Sequence, residues 1–283
     1  MPAKHPALAR ALILSLGGLW FIDGILQLQP AMFTAAFVEQ VLMPTLSSQP
    51  HWAMTIINFG IGIASSSPFW FNVAAAGIQL LIGILLVVPA IKRTQPTHVQ
   101  RFALWLSIAW ALAIWIFGEG FGMLATGSAT FYTGAPGSAL LYAILALFLL
   151  DKTNDKLEKL PVVAGIIFLA GAALNLTPMF WQPTMLSMLA MVPAVSNWLG
   201  TASLGSAQGT MLGNFFAIDA LAALGIFLIL MPRSRTIARI AFAFLIAIWW
   251  IGQNFGSILT FPGGTATDPN SAVVLMLFLL PAL

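Results

Sequence analysis

The chain has 283 residues, 60% of them hydrophobic and only 7% charged, with 11 Lys and Arg against 8 Asp and Glu. Soluble domains are typically about 25% charged, so the bilayer must serve as part of the solvent for a chain of mean hydropathy +0.96. The formal charge of +3 lies in short loops, where it reads as an orientation signal, and no nucleic-acid partner is expected. The absence of cysteine excludes disulfides, thiolate metal sites, Fe–S ligation and cysteine nucleophiles. His5, His51 and His98 lie outside the apolar runs, so axial ligation of haem within the membrane is not expected.

A membrane-crossing helix needs roughly 20 apolar residues. The first candidate, Ala7–Gln29, has no small-x-small cleavage site before Pro30 and reads as a retained helix, not a signal peptide. Next comes an apolar but punctuated segment, Pro30–Trp70, with Pro44, Pro50, Pro68, Trp52 and Trp70. It suits amphipathic helices lying in the interface, Ala31–Leu42 with Glu39 among them. Phe71–Ile91, Phe102–Leu124 and Ser138–Leu150 follow as candidate spans. Pro161–Phe180, a second punctuated segment Trp181–Gly213 (Pro183, Pro193, Trp198), Asn214–Met231, Ile240–Thr260 and Ser271–Leu283 complete the chain. The expectation is an all-α polytopic membrane protein with eight transmembrane helices and outer interfacial helices.

With eight spans, every Lys and Arg falls on one side: Lys4 and Arg10; Lys92, Arg93 and Arg101; Lys152, Lys156 and Lys159; Arg233, Arg235 and Arg239. The positive-inside rule then puts both termini in the cytoplasm of a plasma (inner) membrane. The fourth and eighth spans are short. Thirteen residues of helix reach about 20 Å, against a hydrocarbon core of about 30 Å. Each follows a Gly/Thr/Pro-rich stretch, Thr126–Gly137 and Thr260–Asn270, expected to dip into the outer leaflet under a cover of protein.

The chain also reads as a duplication. Ile25-Leu-Gln-Leu-Gln-Pro30 matches Ala173-Leu-Asn-Leu-Thr-Pro178, and Asn72 with Gly83 matches Asn214 with Gly225. Trp115-Ile-Phe-Gly-Glu-Gly-Phe-Gly122 matches Trp249-Trp-Ile-Gly-Gln-Asn-Phe-Gly256, and Ala129-Thr130 matches Ala266-Thr267. The order is kept while the offset drifts from 148 to 142 to about 134, so length changes fall in loops. Four spans per copy make these parallel repeats, residues 1–150 and 161–283 joined by a cytoplasmic linker at 151–160, and not inverted ones.

This order of parts resembles the DoxX-like family of small four-helix membrane proteins, here in tandem. The resemblance is carried by a first span running into an outer amphipathic segment. It continues in the polar-headed second span Asn72…Gly77-Ile-Gln79-Leu-Leu-Ile-Gly83…Lys92-Arg93, before two further spans. It covers most of each half in layout. No acid-and-arginine set of the family matches residue for residue. The resemblance implies a redox setting, with a quinone as the associated cofactor and a cofactor-bearing redox protein as partner.

Buried charge is costly in a bilayer, so the polar residues of the spans form the candidate ligand site. In the first half these are Asp23, Gln27, Asn72, Gln79 and Glu119; in the second, Asn175, Asn214, Asp219, Gln253 and Asn254. All are expected in the outer half of the bilayer. Three readings stay open: interhelical hydrogen bonds, a pocket for a quinone-like head group, or a proton or cation path with Asp23 and Glu119 as carriers. A small-solute or ion permease and a purely structural subunit of a larger complex are the corresponding alternatives. The neutral Gln253 opposite Glu119 favours one specialised site in the first half. No catalytic residues and no metal site are expected, since no paired His or Glu spacing occurs. Met123, Met179, Met185, Met188 and Met191 read as an apolar interfacial face. Asp268-Pro269-Asn270-Ser271 reads as a turn and N-cap, with the mouth of a pocket as the alternative.

Overall fold

The computed structural model describes residues 5–92, 97–181 and 207–283. Nine helices are named here: α1 Pro6–Leu26, α2 His51–Ser66, α3 Pro68–Lys92, α4 His98–Ala113, α5 Ser138–Leu149, α6 Leu160–Leu174, α7 Ala207–Leu230, α8 Arg235–Ala247 and α9 Ser271–Leu279. Among the described residues there is no strand. Six helical segments are long and apolar enough to cross a membrane: Pro6–Leu26, Pro68–Lys92, His98–Gly118, Asp155–Leu174, Gly213–Leu230 and Arg235–Gly252. The protein is a multi-pass helical chain.

Two of the eight anticipated spans fall short of crossing length. α5 has 12 residues and α9 has 9, and neither reaches 30 Å at 1.5 Å per residue. Both are largely apolar and mostly buried, with Leu147 of α5 exposed. They pack against each other at the centre. The third and seventh spans also stop earlier than anticipated. α4 continues as a π-helical turn to Gly118 and α8 as one to Gly252. A left-handed turn then follows each: Gly120 to Met123 and Asn254 to Ser257 all have φ between 46° and 64°. The leading glycine adopts that conformation without strain. At Phe121, Met123, Phe255 and Ser257 a Cβ makes it cost roughly 1–2 kcal/mol per residue.

α1 packs along α3, and α6 along α7, through paired glycines. A Cβ on Gly83 would lie 2.9 Å from the Gly17 carbonyl oxygen, and one on Gly225 would lie 2.8 Å from the Gly165 carbonyl oxygen. These are backbone-to-backbone approaches that only small residues permit. Gly83→Ala is therefore expected to lower stability by about 1–3 kcal/mol, read as a fall in detergent-phase Tm. Gly77→Ala, where a Cβ meets open space, should leave Tm unchanged or raise it.

The same polar fastenings occur at matching positions of the two halves. Asn72 donates to the Gln27 carbonyl at 2.7 Å, and Asn214 to the Asn175 carbonyl at 3.1 Å. Trp115 Nε1 donates to the Pro136 carbonyl and Trp249 Nε1 to the Pro269 carbonyl. The non-helical stretches cross over between halves. Thr130 donates to Asn175 Oδ1 of the second half, while Gln29 of the first donates to the Ala266 carbonyl. Ala129, Thr130, Phe131 and Ala266 are buried, whereas Thr260 to Gly263 are exposed.

The described cations gather at one end of the bundle. Arg10 donates to the carbonyls of Ala90 and Ile91 at the end of α3. Arg101 reaches the Leu150 carbonyl after α5. Glu158 is bridged by His5 and Arg233. Cations at helix C-termini satisfy orphan carbonyls and favour the helix dipole. Lys4 and Arg93 lie outside the described residues. So do Pro183, Pro193, Trp198, Met185, Met188 and Met191, and with them most of the second punctuated segment.

The first punctuated segment forms a helical stretch Ala35–Leu46 and then α2. Phe37, Val38 and Leu42 join Ala53, Ile57, Ile61 and Ala64 in a core of their own, while Glu39 and Trp52 face outward.

Candidate functional site

A cavity of ≈ 180 Å³ lies in the first half, at the end of the bundle away from the cations. α1 supplies Trp20, Asp23 and Gln27; α3 supplies Ala75 and Gln79; α4 and its π turn supply Trp110 and Phe117; α5 supplies Tyr142. Glu119 closes one side, and Thr267 and Asp268 reach in from the stretch before α9. Gly60 and Ile63 of α2 and Phe117 and Gly118 of the π turn complete the lining, and Ile63 is half exposed. Space of this order accommodates a benzene-sized ring.

The walls are apolar with a few convergent polar groups, the usual make-up of a small-molecule site. Those groups are buried and mostly lack protein partners. Gln27 Oε1, Gln79 Oε1, Trp110 Nε1 and Glu119 Oε2 make no hydrogen bond among the described residues, and Asp23 Oδ1 and the Tyr142 hydroxyl have at most each other. Each such group costs about 1–3 kcal/mol when left unpaired, so the cavity suits water or a polar-headed molecule. The Tyr142 hydroxyl lies beside the Asp23 carboxyl. Trp20 is held by its indole N–H on Ser107 at 2.8 Å and by an edge-on contact with Tyr142 at 4.8 Å. Glu119 has one oxygen engaged, accepting from the Ser138 hydroxyl at 2.7 Å and the Ala139 N–H at 3.0 Å. A carboxylate at the N-terminus of α5 is well placed to cap it.

The anticipated site residues divide into three sets. Asp23, Gln27, Gln79 and Glu119 line the cavity together. Asn72, Asn175, Asn214 and Gln253 are buried and fasten helices. Asp219 and Asn254 are exposed and contribute nothing to the cavity. The expected grouping of all three acids is thereby corrected. Asp219 matches Gly77 at the 142-residue offset, a position open to the outside, so its face of α7 points away from the bundle. The third acid of the cluster is Asp268, close enough to Asp23 and Glu119 for their charges to interact. Its own oxygens accept from the Thr267 hydroxyl and the Asn270 N–H. Asn270, not Asp268, caps α9. Among the described residues no three His, Asp or Glu side chains come together as metal ligands.

At the matching positions the second half carries different residues. Gly171 stands where the first half has Asp23, Leu221 where it has Gln79, Gln253 for Glu119, Leu275 for Tyr142 and Phe244 for Trp110. Phe131 matches Asp268 through Ala129-Thr130 and Ala266-Thr267. Its ring packs on Phe168 at 4.9 Å, its Cβ would touch a Cβ on Gly171 at 2.7 Å, and it is 1% exposed. Phe244 and Tyr132 complete that aromatic plug. Gln253 meanwhile repeats the capping of Glu119, donating to the Ser271 hydroxyl and accepting from the Ala272 N–H. Trp20, Trp110 and Tyr142 escape a search for charged residues. One of only two tyrosines set in the otherwise apolar α5 was the available signal.

No family model, curated protein or solved structure matches the chain.

Proposed function

We propose that this chain is a membrane-embedded binding subunit that holds the polar ring head of a lipid-soluble molecule of quinone chemistry in its first-half cavity. The observation that carries the reading is the contrast between the halves. At the matching positions the second half has the apolar Phe131, Gly171, Leu221 and Leu275, which supports a role for Asp268, Asp23, Gln79 and Tyr142 beyond holding the scaffold together. They are available to a ligand: the Tyr142 hydroxyl and the Trp110 indole can donate to ring oxygens, the Gln27 and Gln79 side-chain carbonyl oxygens can accept from the ring hydroxyls of the reduced form, and Trp20 and Phe117 can pack against the ring. An isoprenoid tail leaves past the half-exposed Ile63 into the acyl region.

The setting is a membrane redox system. The chain has no cysteine and its three histidines lie at or before the starts of helices, so electrons would be carried by a cofactor-bearing partner. The DoxX-like layout in tandem agrees with this role. The architecture we favour is two parallel four-helix repeats related by an axis along the membrane normal. Each short central helix together with the non-helical stretch before it makes a crossing, for eight in all. The matched glycine pairs, asparagine and tryptophan fastenings and left-handed turns support it. The clustered cations favour cytoplasmic termini in a plasma membrane, with the cavity towards the outside. A small-solute or ion permease is the second reading, favoured by the polar depression described below.

The test is equilibrium binding of a radiolabelled short-chain prenyl benzoquinone, in its reduced form, to the protein in nanodiscs. One saturable site per chain is expected, weakened about tenfold (roughly 1.4 kcal/mol) by Gln79→Leu. Partitioning no greater than into empty nanodiscs would reject the proposal.

A further inference from the structure

Next to the lateral cavity lies a second, polar depression of ≈ 730 Å³. Thr133, Gln253, Ser257, Thr260, Thr265 and Asn270 are among the residues that line it. It shares Val41, Thr267 and Asp268 with the cavity. Those three residues are therefore a common wall, with apolar space on one side and hydroxyl, amide and backbone groups on the other. Asp268 is half buried, whereas Asp23 behind it is 2% exposed, its Oδ1 having at most the Tyr142 hydroxyl as partner. A wall made of one valine, one threonine and one short carboxylate is a thin one. In the second half the matching place holds the buried Phe131 ring.

We infer that the polar depression is a water-filled vestibule that meets the lateral cavity at Thr267 and Asp268, giving the site two accesses: lipid for the ligand and water for protons. A proton arriving on water in the vestibule is taken by the Asp268 carboxylate, leaving water behind. It is passed on to a carboxylate or ligand oxygen in the cavity, which restores Asp268. The ionisable groups that face Asp268 across the cavity are Asp23 from α1, Glu119 at the end of the π turn and Tyr142 from α5. Non-helical backbone at this depth is tolerated where it lines a water-filled space, which accounts for the irregular chain around Thr260–Asn270. The inference does not depend on which molecule fills the cavity, so the water route and quinone binding can fail separately.

The natural absence of cysteine allows a direct test on the full chain in proteoliposomes. Thr265→Cys, Thr267→Cys and Ile63→Cys are made singly and treated with a charged methanethiosulfonate that does not enter lipid, present on both faces. Thr265→Cys and Thr267→Cys should both be labelled. Adding Asp268→Phe should abolish labelling at position 267 while sparing 265. Ile63→Cys should react only with a lipid-soluble maleimide. Should Thr267→Cys misfold, Val41→Cys on the same wall serves in its place. Labelling at 265 without labelling at either wall position would show a closed wall, and absence of labelling at all of them would show that no vestibule exists. Either result overturns the inference.

Discussion

Asp23→Gly combined with Asp268→Phe is expected to close the cavity, to reduce quinone binding by at least about a hundredfold (roughly 2.7 kcal/mol), and to leave the fold as stable as the wild type or more so. The pair rebuilds in the first half what the second half already has. There, Phe131 lies over Gly171, 1% exposed, with its ring 4.9 Å from Phe168. The first-half counterpart of Phe168 is Trp20, equally buried, so the new ring has an aromatic floor to meet. Removing Asp23 deletes a buried carboxyl whose Oδ1 has at most the Tyr142 hydroxyl as partner, and filling the void adds apolar contact; both changes act in the stabilising direction. Asp268→Phe alone should block binding while stabilising less, because Asp23 then lies under an apolar ring. Thermal unfolding of the empty protein and binding of the labelled quinone analogue, measured on the same preparations, separate the two effects. A double variant that still binds normally would mean that the ligand site lies elsewhere.

Glu119→Gln is the second large effect, and it too splits function from fold. Gln253 already performs the structural task of Glu119 in the other half, with its amide on the Ser271 hydroxyl and the Ala272 N–H at 3.0 and 3.1 Å. The variant should therefore unfold within about 1 kcal/mol of the wild type. What it removes is the free oxygen, Glu119 Oε2, which has no partner in the protein. If that oxygen accepts a ligand hydroxyl or a proton, turnover of the assembled redox system should drop by about a hundredfold or more, the range for losing a proton-transfer group. In the permease reading, flux should vanish instead. A variant with unchanged turnover and unchanged flux would assign Glu119 to helix capping alone.

Much of the scaffold is readable in the residues themselves. The glycine pairs, the Asn72 and Asn214 heads and the Trp-x-x-x-Glu/Gln segments are periodic or repeated, and each turned out to make the same contact in both halves. The helix ends after α4 and α8 were not readable. A run such as Trp115-Ile-Phe-Gly-Glu-Gly-Phe-Gly122 is apolar enough to continue a span, and nothing local announces that Phe121 and Met123 will take left-handed backbone; the packing of the following stretch imposes it. Among the site residues, Asp23, Gln27, Gln79 and Glu119 are legible because polar groups inside apolar helices are costly. Asp268 was legible only as one of two readings of Asp-Pro-Asn-Ser, a turn or the mouth of a pocket, because the turn is a sufficient local explanation. Only the long-range docking of one half's stretch against the other half's first helix brings it to the cavity. Asp219 misled for the opposite reason. Hydropathy registers a carboxylate within a span without saying which face of the helix bears it, and here the face is the outer one.

The account stands on the first-half cavity being occupied by a ring-headed, lipid-soluble molecule while its second-half counterpart is plugged by protein. Solvent extraction of wild-type protein and of the Asp23→Gly, Asp268→Phe double variant, purified side by side and resolved by mass spectrometry, addresses that most directly. The expected result is about one prenylated quinone per wild-type chain and none in the variant. Equal amounts of the same lipids in both preparations, or no such molecule in either, would contradict it.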